Sequence, residues 1–237
     1  MTETLAAEAR KYGVILSDAQ VRQFDRYLLL LTDWSARANL VGDVDPKVVT
    51  QRHFLESLAL GAALREREIM RPNADVLDVG AGAGFPGVVL KIAWPGIRLT
   101  LLEATAKKTA FLSALVTDLA LEDTVVLTGR AETLAHDPAL RGRFDLVLAR
   151  AVAALPALLE LTLPFARVGG RMASPKGSRA TGELAAAKGA LETLGARAVA
   201  LPFNVPGPSQ TLIVAVKLRE TPPAYPRRPG VPTQSPL

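Results

Sequence analysis

The densest chemistry in the chain lies in one stretch, Asp78-Val79-Gly80-Ala81-Gly82-Ala83-Gly84-Phe85-Pro86-Gly87. The apolar run VLDVG (76–80) leads into it and a helical pattern leads out. Glycines at such a turn let the backbone bend tightly and approach a ligand with no Cβ in the way. Gly82, Gly84 and Gly87 satisfy G-x-G-x-x-G, a dinucleotide pattern. Gly80, Gly82 and Gly84 satisfy the G-x-G-x-G that follows an acidic residue in enzymes using S-adenosylmethionine. Asp78 supplies that acid. Its carboxylate would orient the amino acid end of such a cofactor, directly or through water, and would be less welcome beside a pyrophosphate. Both ligands remain open on these residues alone.

Three further positions are in register with the loop. Glu103 ends the next apolar run, LTLLEA (99–104), where an acid accepts hydrogen bonds from ribose hydroxyls in either cofactor class. Ala131-Glu132 follows a third run, VVLTG (125–129), at the point that faces an adenine in S-adenosylmethionine enzymes; a helix-capping acid is the alternative. Arg150 closes a fourth run, FDLVLARA (144–151). A cation there is costly to bury without a partner, so a role near the methyl donor is favoured over a solvated one. His53 is either an RNA contact or a satisfied structural histidine, and His136, beside Asp137-Pro138, reads as a loop residue. Two histidines so far apart make no metal site. Trp34 and Trp94 read as packing residues.

The elements that must position these residues follow from periodicity. Residues 1–71 read as a helical segment. Ser17 and Gln20 form a capping box, Val21, Phe24, Leu28, Leu31 and Trp34 mark one buried helix face, and Asp45-Pro46 starts a helix. From residue 72 to 220 short apolar runs alternate with helical patterns, which implies a mostly parallel doubly wound sheet. GGRMAS (169–174) is a fifth strand, residues 180–195 an exposed helix, and ARAVALPF (196–203) with QTLIVAVKL (210–218) an antiparallel hairpin, because the connection is too short for a crossover helix. The tail, residues 221–237, holds six prolines; it is read as unable to form a helix and as a flexible linker or an extended surface arm.

Composition narrows the classes. The 237 residues contain no cysteine, which excludes disulfides, zinc fingers, iron–sulfur clusters and thiolate catalysis. Lys and Arg number 28 against 23 Asp and Glu, a mild basic excess lying in the middle and tail and compatible with a nucleic-acid partner. Lys107-Lys108, Arg141, Arg143, Lys176, Arg179 and Arg227-Arg228 could make one basic face around the cofactor mouth, with scattered solvated charge as the alternative. No secretory signal and no run of membrane-spanning length is read, so a cytoplasmic chain is expected.

VLDVGAGAGFPG, LLEATAKKTAFL, GRAE, FDLVLARA, PKG and the terminal YPRRPGVPTQSPL together resemble the RsmG family, also called glucose-inhibited division protein B. Asn39-Leu40 and Arg52-His53 with Ser57-Leu58 look like its N-terminal signature, so the resemblance runs from about residue 38 onward. It implies a class I S-adenosylmethionine-dependent methyltransferase with a Rossmann-like, mostly parallel seven-stranded sheet, an antiparallel last strand and an N-terminal helical segment. It also implies methylation of guanine N7 in 16S ribosomal RNA, at guanine 527, with the small ribosomal subunit as partner and a monomeric enzyme. Carried over residue by residue, Gly80 and Phe85 would line the cofactor pocket beside Asp78, Gly82 and Gly84 of the loop already read, Glu103 would hold the ribose, Ala131 and Glu132 would border the adenine, and Arg150 would stand near the methyl group. His53, Lys107, Lys176, Arg227 and Arg228 would meet RNA. Relatives commonly carry an Arg-His pair before the last strand, where this chain reads Gly207-Pro208-Ser209-Gln210. A nicotinamide-dependent oxidoreductase and an inactive ribosomal-RNA-binding protein are the competing readings.

Overall fold

The structure is a computed structural model that describes residues 2–206 and 210–237; the Gly207-Pro208-Ser209 departure lies outside the described residues. Helices α1 (Thr2–Ala9) and α2 (Asp18–Ala38) open the chain. Ser17 and Gln20 cap α2 reciprocally, each side chain bonding the other's backbone N–H, as their spacing predicts. Asp45 accepts from the Lys47 N–H and starts α3 (Pro46–Val48). The helix then widens into a π-helical segment, Val49–Leu55, before returning to α geometry in α4 (Glu56–Glu66). Nothing in the sequence announces that segment, and it carries Arg52 and His53.

The remaining elements alternate. They are β1 (Asp75–Val79), α5 (Gly87–Ala93), β2 (Arg98–Glu103), α6 (Ala106–Asp118), β3 (Thr124–Thr128), α7 (Ala131–Leu134), β4 (Phe144–Leu148), α8 (Leu155–Thr162) and β5 (Ala166–Lys176). After them come α9 (Ala180–Ala186), α10 (Lys188–Leu194), β6 (Ala196–Phe203), β7 (Gln210–Lys217) and α11 (Val231–Gln234). The sheet order is β3-β2-β1-β4-β5-β7-β6. All pairings are parallel except those of β7, which runs antiparallel to both β5 and β6. The hairpin inserts its second strand between β5 and β6, so β7 is the reversed strand of an otherwise parallel sheet. A dinucleotide-binding sheet of order 3-2-1-4-5-6 would have no such strand.

Strand side chains alternate between two cores. Val76, Leu99, Leu101, Leu146 and Leu148 face one side, where they join Leu5, Phe24, Tyr27, Phe54, Leu58 and Leu64 of the N-terminal helices in a single cluster. The N-terminal segment is thus the cover of one sheet face. Leu77, Val79, Leu102 and Val147 face the other side, covered by α7 and α8. Met172, Ile213 and Ala215 continue that face under α8, α9 and α10.

Three expectations change. β5 runs eleven residues, because it begins at Ala166 and passes through Gly169-Gly170 with a register irregularity opposite Phe144 and Leu146. The helix expected over 180–195 is two short helices meeting at Ala187. The proline-rich tail does contain a helical turn, α11, with Pro232 at its second position, where no N–H is required. The tail is laid against α8 and fastened there: the half-buried Arg141 guanidinium donates to the carbonyls of Thr221, Pro222 and Tyr225, and His136 Nε2 donates to Pro226 O at 2.8 Å. Arg141 therefore serves the tail's docking in place of the RNA-facing position expected for it, and His136, in the turn after α7 as expected, serves the same docking.

Candidate active site

The order of strands reverses between β1 and β4, and their carboxyl ends frame a crevice of the kind where open α/β sheets bind ligands. The loop after β1 is held tightly. Gly80 and Gly84 adopt φ of +71° and +93°, and a Cβ at Gly80 would stand 2.8 Å from Val152. Gly82 is different: a Cβ there would meet protein only at 3.7 Å, so the loop leaves space on that side. Tyr27 of α2 donates from its hydroxyl to Ala83 O, fixing the loop from the N-terminal helices.

Asp78 is fully buried beneath this loop. Its Oδ2 accepts from the Gly87 N–H at 2.8 Å, which ties the strand to the start of α5, one residue later than Pro86 would suggest. Its Oδ1 is buried with no hydrogen-bond partner. Burial pushes the carboxyl up to about 7, with Glu103 adding to the rise and the Gly87 N–H and Arg150 opposing it. An unpaired buried carboxylate oxygen costs free energy unless a donor reaches it. A cationic ligand group in the crevice would supply one.

Glu103, at the end of β2, accepts from Gly82 N–H at 3.0 Å and from Thr105 N–H at 2.8 Å. Both carboxylate oxygens keep lone pairs to spare for a ligand hydroxyl. Ala131 and Glu132 open α7 and are buried. Glu132 also holds the tail: its Oε1 accepts from Gly230 N–H at 2.9 Å and fastens that segment to α7.

Arg150 lies two residues beyond β4. Its Nη2 is 2.7 Å from His53 Nδ1, its Nη1 is 3.5 Å from Glu56 and 3.4 Å from Arg52 O, and its guanidinium carbon sits 5.6 Å over the Phe85 ring. Phe85 is itself stacked on Tyr27 at 5.4 Å and on His53 at 4.8 Å between centroids. Burial, reinforced by Arg150 and Arg52, lowers His53 to about 4. The structure thus brings Asp78, the glycines, Phe85, Glu103, Arg150 and His53 to one end of the sheet.

The residues expected to meet RNA divide into two groups. Lys107 and Arg228 are exposed. Lys176 is turned inward, donating to Ala153 O at 2.8 Å and pairing with Glu183 at 2.9 Å. Arg227 is also turned inward. Its Nη2 meets Oε2 of the fully buried Glu160 at 2.7 Å, and its backbone N–H and Nε both donate to Oε1. Both are surface cations by sequence, and both are engaged by carboxylates of the fold; without Arg227, Glu160 would be an unpaired charge in an apolar helix. Among the described residues no group of three or more His, Asp or Glu stands ready to hold a metal ion. No described helix is long and apolar enough to cross a membrane.

The family model described as rRNA small subunit methyltransferase G matches residues 20–212. A protein of Roseiflexus sp. named ribosomal RNA small subunit methyltransferase G is 42% identical over 237 residues, covering 99% of both chains. The protein of the same name from Chloroflexus aggregans is 41% identical, over 100% of this chain and 98% of its own. Among solved structures, a putative O-methyltransferase from Klebsiella pneumoniae superposes with a TM-score of 0.55 at 16% identity, over 86% of this chain and 91% of its own. The precorrin-6y C5,15-methyltransferase of Geobacter metallireducens gives 0.51 at 15% identity, over 67% and 86%. These likenesses establish the fold as that of class I methyltransferases. The unpaired Asp78 oxygen and the open side of Gly82 fit S-adenosylmethionine, the cofactor that goes with this family, and the chain belongs to the rRNA small subunit methyltransferase G family.

Proposed function

We propose that this protein transfers the methyl group of S-adenosylmethionine to N7 of a guanine in 16S ribosomal RNA, acting on the small ribosomal subunit in the cytoplasm. The observation that carries the reading is the meeting of the glycine loop and Arg150 at the β1–β4 switch point, in a chain whose family is that of small-subunit rRNA methyltransferases. Asp78 would face the charged amino acid end of the cofactor, Glu103 its ribose, and Ala131 with Glu132 its adenine. When bound, the cofactor supplies a methyl carbon made electrophilic by a sulfonium.

Guanine N7 suits these residues because its lone pair lies free in the ring plane. The N–C bond forms as the S–C bond breaks, the sulfur keeps the electron pair, and no proton leaves. The chain needs no general base for this transfer; it has no cysteine, and His53 already spends Nδ1 on Arg150. The work left to the protein is alignment, worth about 7–11 kcal/mol when donor and acceptor are held in line. Arg150 has two acceptors within its chemistry, guanine O6 and the cofactor carboxylate. Exposed Lys107 and Arg228 would contribute phosphate contacts, and a single-stranded or flipped guanine would be needed to reach the crevice.

The test is transfer of labelled methyl to small subunits lacking the modification, with the nucleoside identified by mass spectrometry. Gly80→Asp is the blank, since an aspartate there meets both the positive φ and Val152. A 7-methylguanosine signal lost in the blank is the expected result. Transfer to a different atom, or none with cofactor binding intact, overturns the substrate assignment.

A further inference from the structure

We propose that His53 is the positioning residue of this active site, its neutral imidazole accepting a hydrogen bond from Arg150 at Nδ1 and holding the guanidinium over the Phe85 ring. The inference rests on the methyl-transfer reading and deepens it, because Arg150 is the cation that the fold carries to the crevice from β4.

The donor in this pair is not ambiguous. Arginine has no acceptor, so the 2.7 Å contact between Arg150 Nη2 and His53 Nδ1 requires a bare Nδ1. The imidazole is therefore the Nε2–H tautomer, and a protonated ring could not make the contact at all. Two neighbours fix the ring itself. It stacks on Phe85 with planes 14° apart, and its own backbone carbonyl is engaged by the Ser57 hydroxyl in the next helical turn. The π-helical segment Val49–Leu55 brings Arg52 and His53 to this edge together, and the Arg52 carbonyl takes a second Arg150 hydrogen bond. Irregular helical turns of this kind recur at functional sites.

Without His53 the guanidinium would keep, as polar partners among the described residues, Glu56 at 3.5 Å and the weaker carbonyl contact at 3.4 Å. Both lie on the Nη1 side, so the fork could swing about them. The imidazole supplies the contact at Nη2 that fixes the plane. It does so without charge, so it neither competes with the cofactor's cationic centre nor repels Arg150. The charged and titratable groups facing this pair are Arg52 on the π-helical segment, Glu56 on α4, Asp78 on β1 and Tyr27 on α2.

The chain has only two histidines, so each is assigned in an NMR spectrum by a single variant. Nitrogen-15 spectra of uniformly labelled full-length protein are expected to show His53 as the Nε2–H tautomer, neutral down to about pH 4. Arg150→Met should raise its titration midpoint and mix its tautomers. A His53 protonated at Nδ1, or titrating near the ordinary value with no response to Arg150→Met, would overturn the assignment. Single-turnover methyl transfer at saturating enzyme, subunit and cofactor supplies the second readout. His53→Phe keeps a ring on Phe85 but no acceptor, and should lower the rate constant at least tenfold with cofactor affinity unchanged. His53→Asn places Oδ1 where Nδ1 stood and should recover most of the rate. A loss confined to subunit affinity would make His53 an RNA contact, and an Asn variant as slow as Phe would reduce it to a packing residue; either result sinks the proposal. If the wild type moves no methyl group, the functional reading fails by itself while the NMR arm still decides the contact.

Discussion

Arg227→Met separates two roles for the arginine pair of the tail. In the structure Glu160 is wholly buried on α8, and Arg227 provides the donors to both of its oxygens. Removing the guanidinium leaves the carboxylate with one backbone N–H at 2.7 Å. Breaking a buried ion pair from one side costs about 3–5 kcal/mol. The Arg227 side chain is 27% exposed, so the lower end applies, about 3 kcal/mol. For a chain of this length about 2–4 °C accompany each kcal/mol, which predicts a melting temperature lower by about 6–12 °C. If the tail lets go before the rest unfolds, the loss appears instead as faster tryptic cleavage after Arg219, where the tail leaves β7, so thermal melts and limited proteolysis are read together. The double variant Glu160→Leu/Arg227→Met should recover most of the stability, because replacing both members of a buried pair by apolar groups is close to neutral. A variant that melts within about 1 °C of wild type, keeps a protease-resistant tail and binds small subunits tenfold more weakly would refute the argument and return Arg227 to the RNA surface.

Further outcomes follow from other sites. Asp78 is raised from 3.8 to about 7 by burial, so in the free protein it holds its proton up to neutrality; the stability this contributes is full below 3.8 and is lost as pH rises through 7. A cationic cofactor favours the ionised form. Binding at about pH 6 should therefore release a fraction of a proton, measurable by calorimetry in two buffers, and affinity should rise toward about pH 7.5 and then level; Asp78→Asn should flatten that profile, and proton uptake on binding would contradict it. Gly61→Ala, in mid-α4, would gain about 1 kcal/mol of helix propensity in the open. Here its Cβ would run into the Trp94 ring and Leu90, so a net loss of about 1–2 kcal/mol is expected in urea titrations, and a stabilised variant would show that the contact relaxes freely. Lys107→Glu and Arg228→Glu should each weaken subunit binding and reduce its salt dependence by about one ion, while Lys176→Met, already paired with Glu183, should leave the salt slope unchanged.

What the sequence makes legible is what local chemistry dictates. The glycine loop, the capping box at Ser17 and the hairpin of β6 and β7 are each specified over a short stretch of chain, by backbone freedom, by a reciprocal hydrogen bond and by a connection too short for a helix. The start of β5 is hidden because Gly169-Gly170 punctuates like a turn, although it runs inside a strand whose register shifts there. Arg150 is legible as a cation at a strand end, but its partner is not, because it lies 97 residues earlier on a turn of π-helix that no periodicity marks.

The inward-turned charges show where the sequence holds more than its periodicity. Glu160 sits inside LPALLELTLPF and Lys91 inside GVVLKIA, each a lone charge in an otherwise apolar run. Such a charge cannot be buried alone, so each run by its composition demands a partner. Lys91 finds its partners locally, in the carbonyls of Pro95 and Ile97 just beyond its own helix. Glu160 has no local donor and must draw one from elsewhere in the chain. The tail is rich in proline, and it offers two adjacent arginines. Pairing one of them with Glu160 satisfies the buried charge and docks the tail, and the same docking presents the Gly230 N–H to Glu132 on α7, proposed above to border the adenine. Burial of one carboxylate on α8 thus couples the tail to α7, and on the proposed function to the cofactor. Arg227→Met should accordingly weaken cofactor binding as well as stability, by a factor that Glu132→Gln reproduces only in part, since the amide still accepts from Gly230. Cofactor affinity unchanged in a variant whose tail is demonstrably released would break that link.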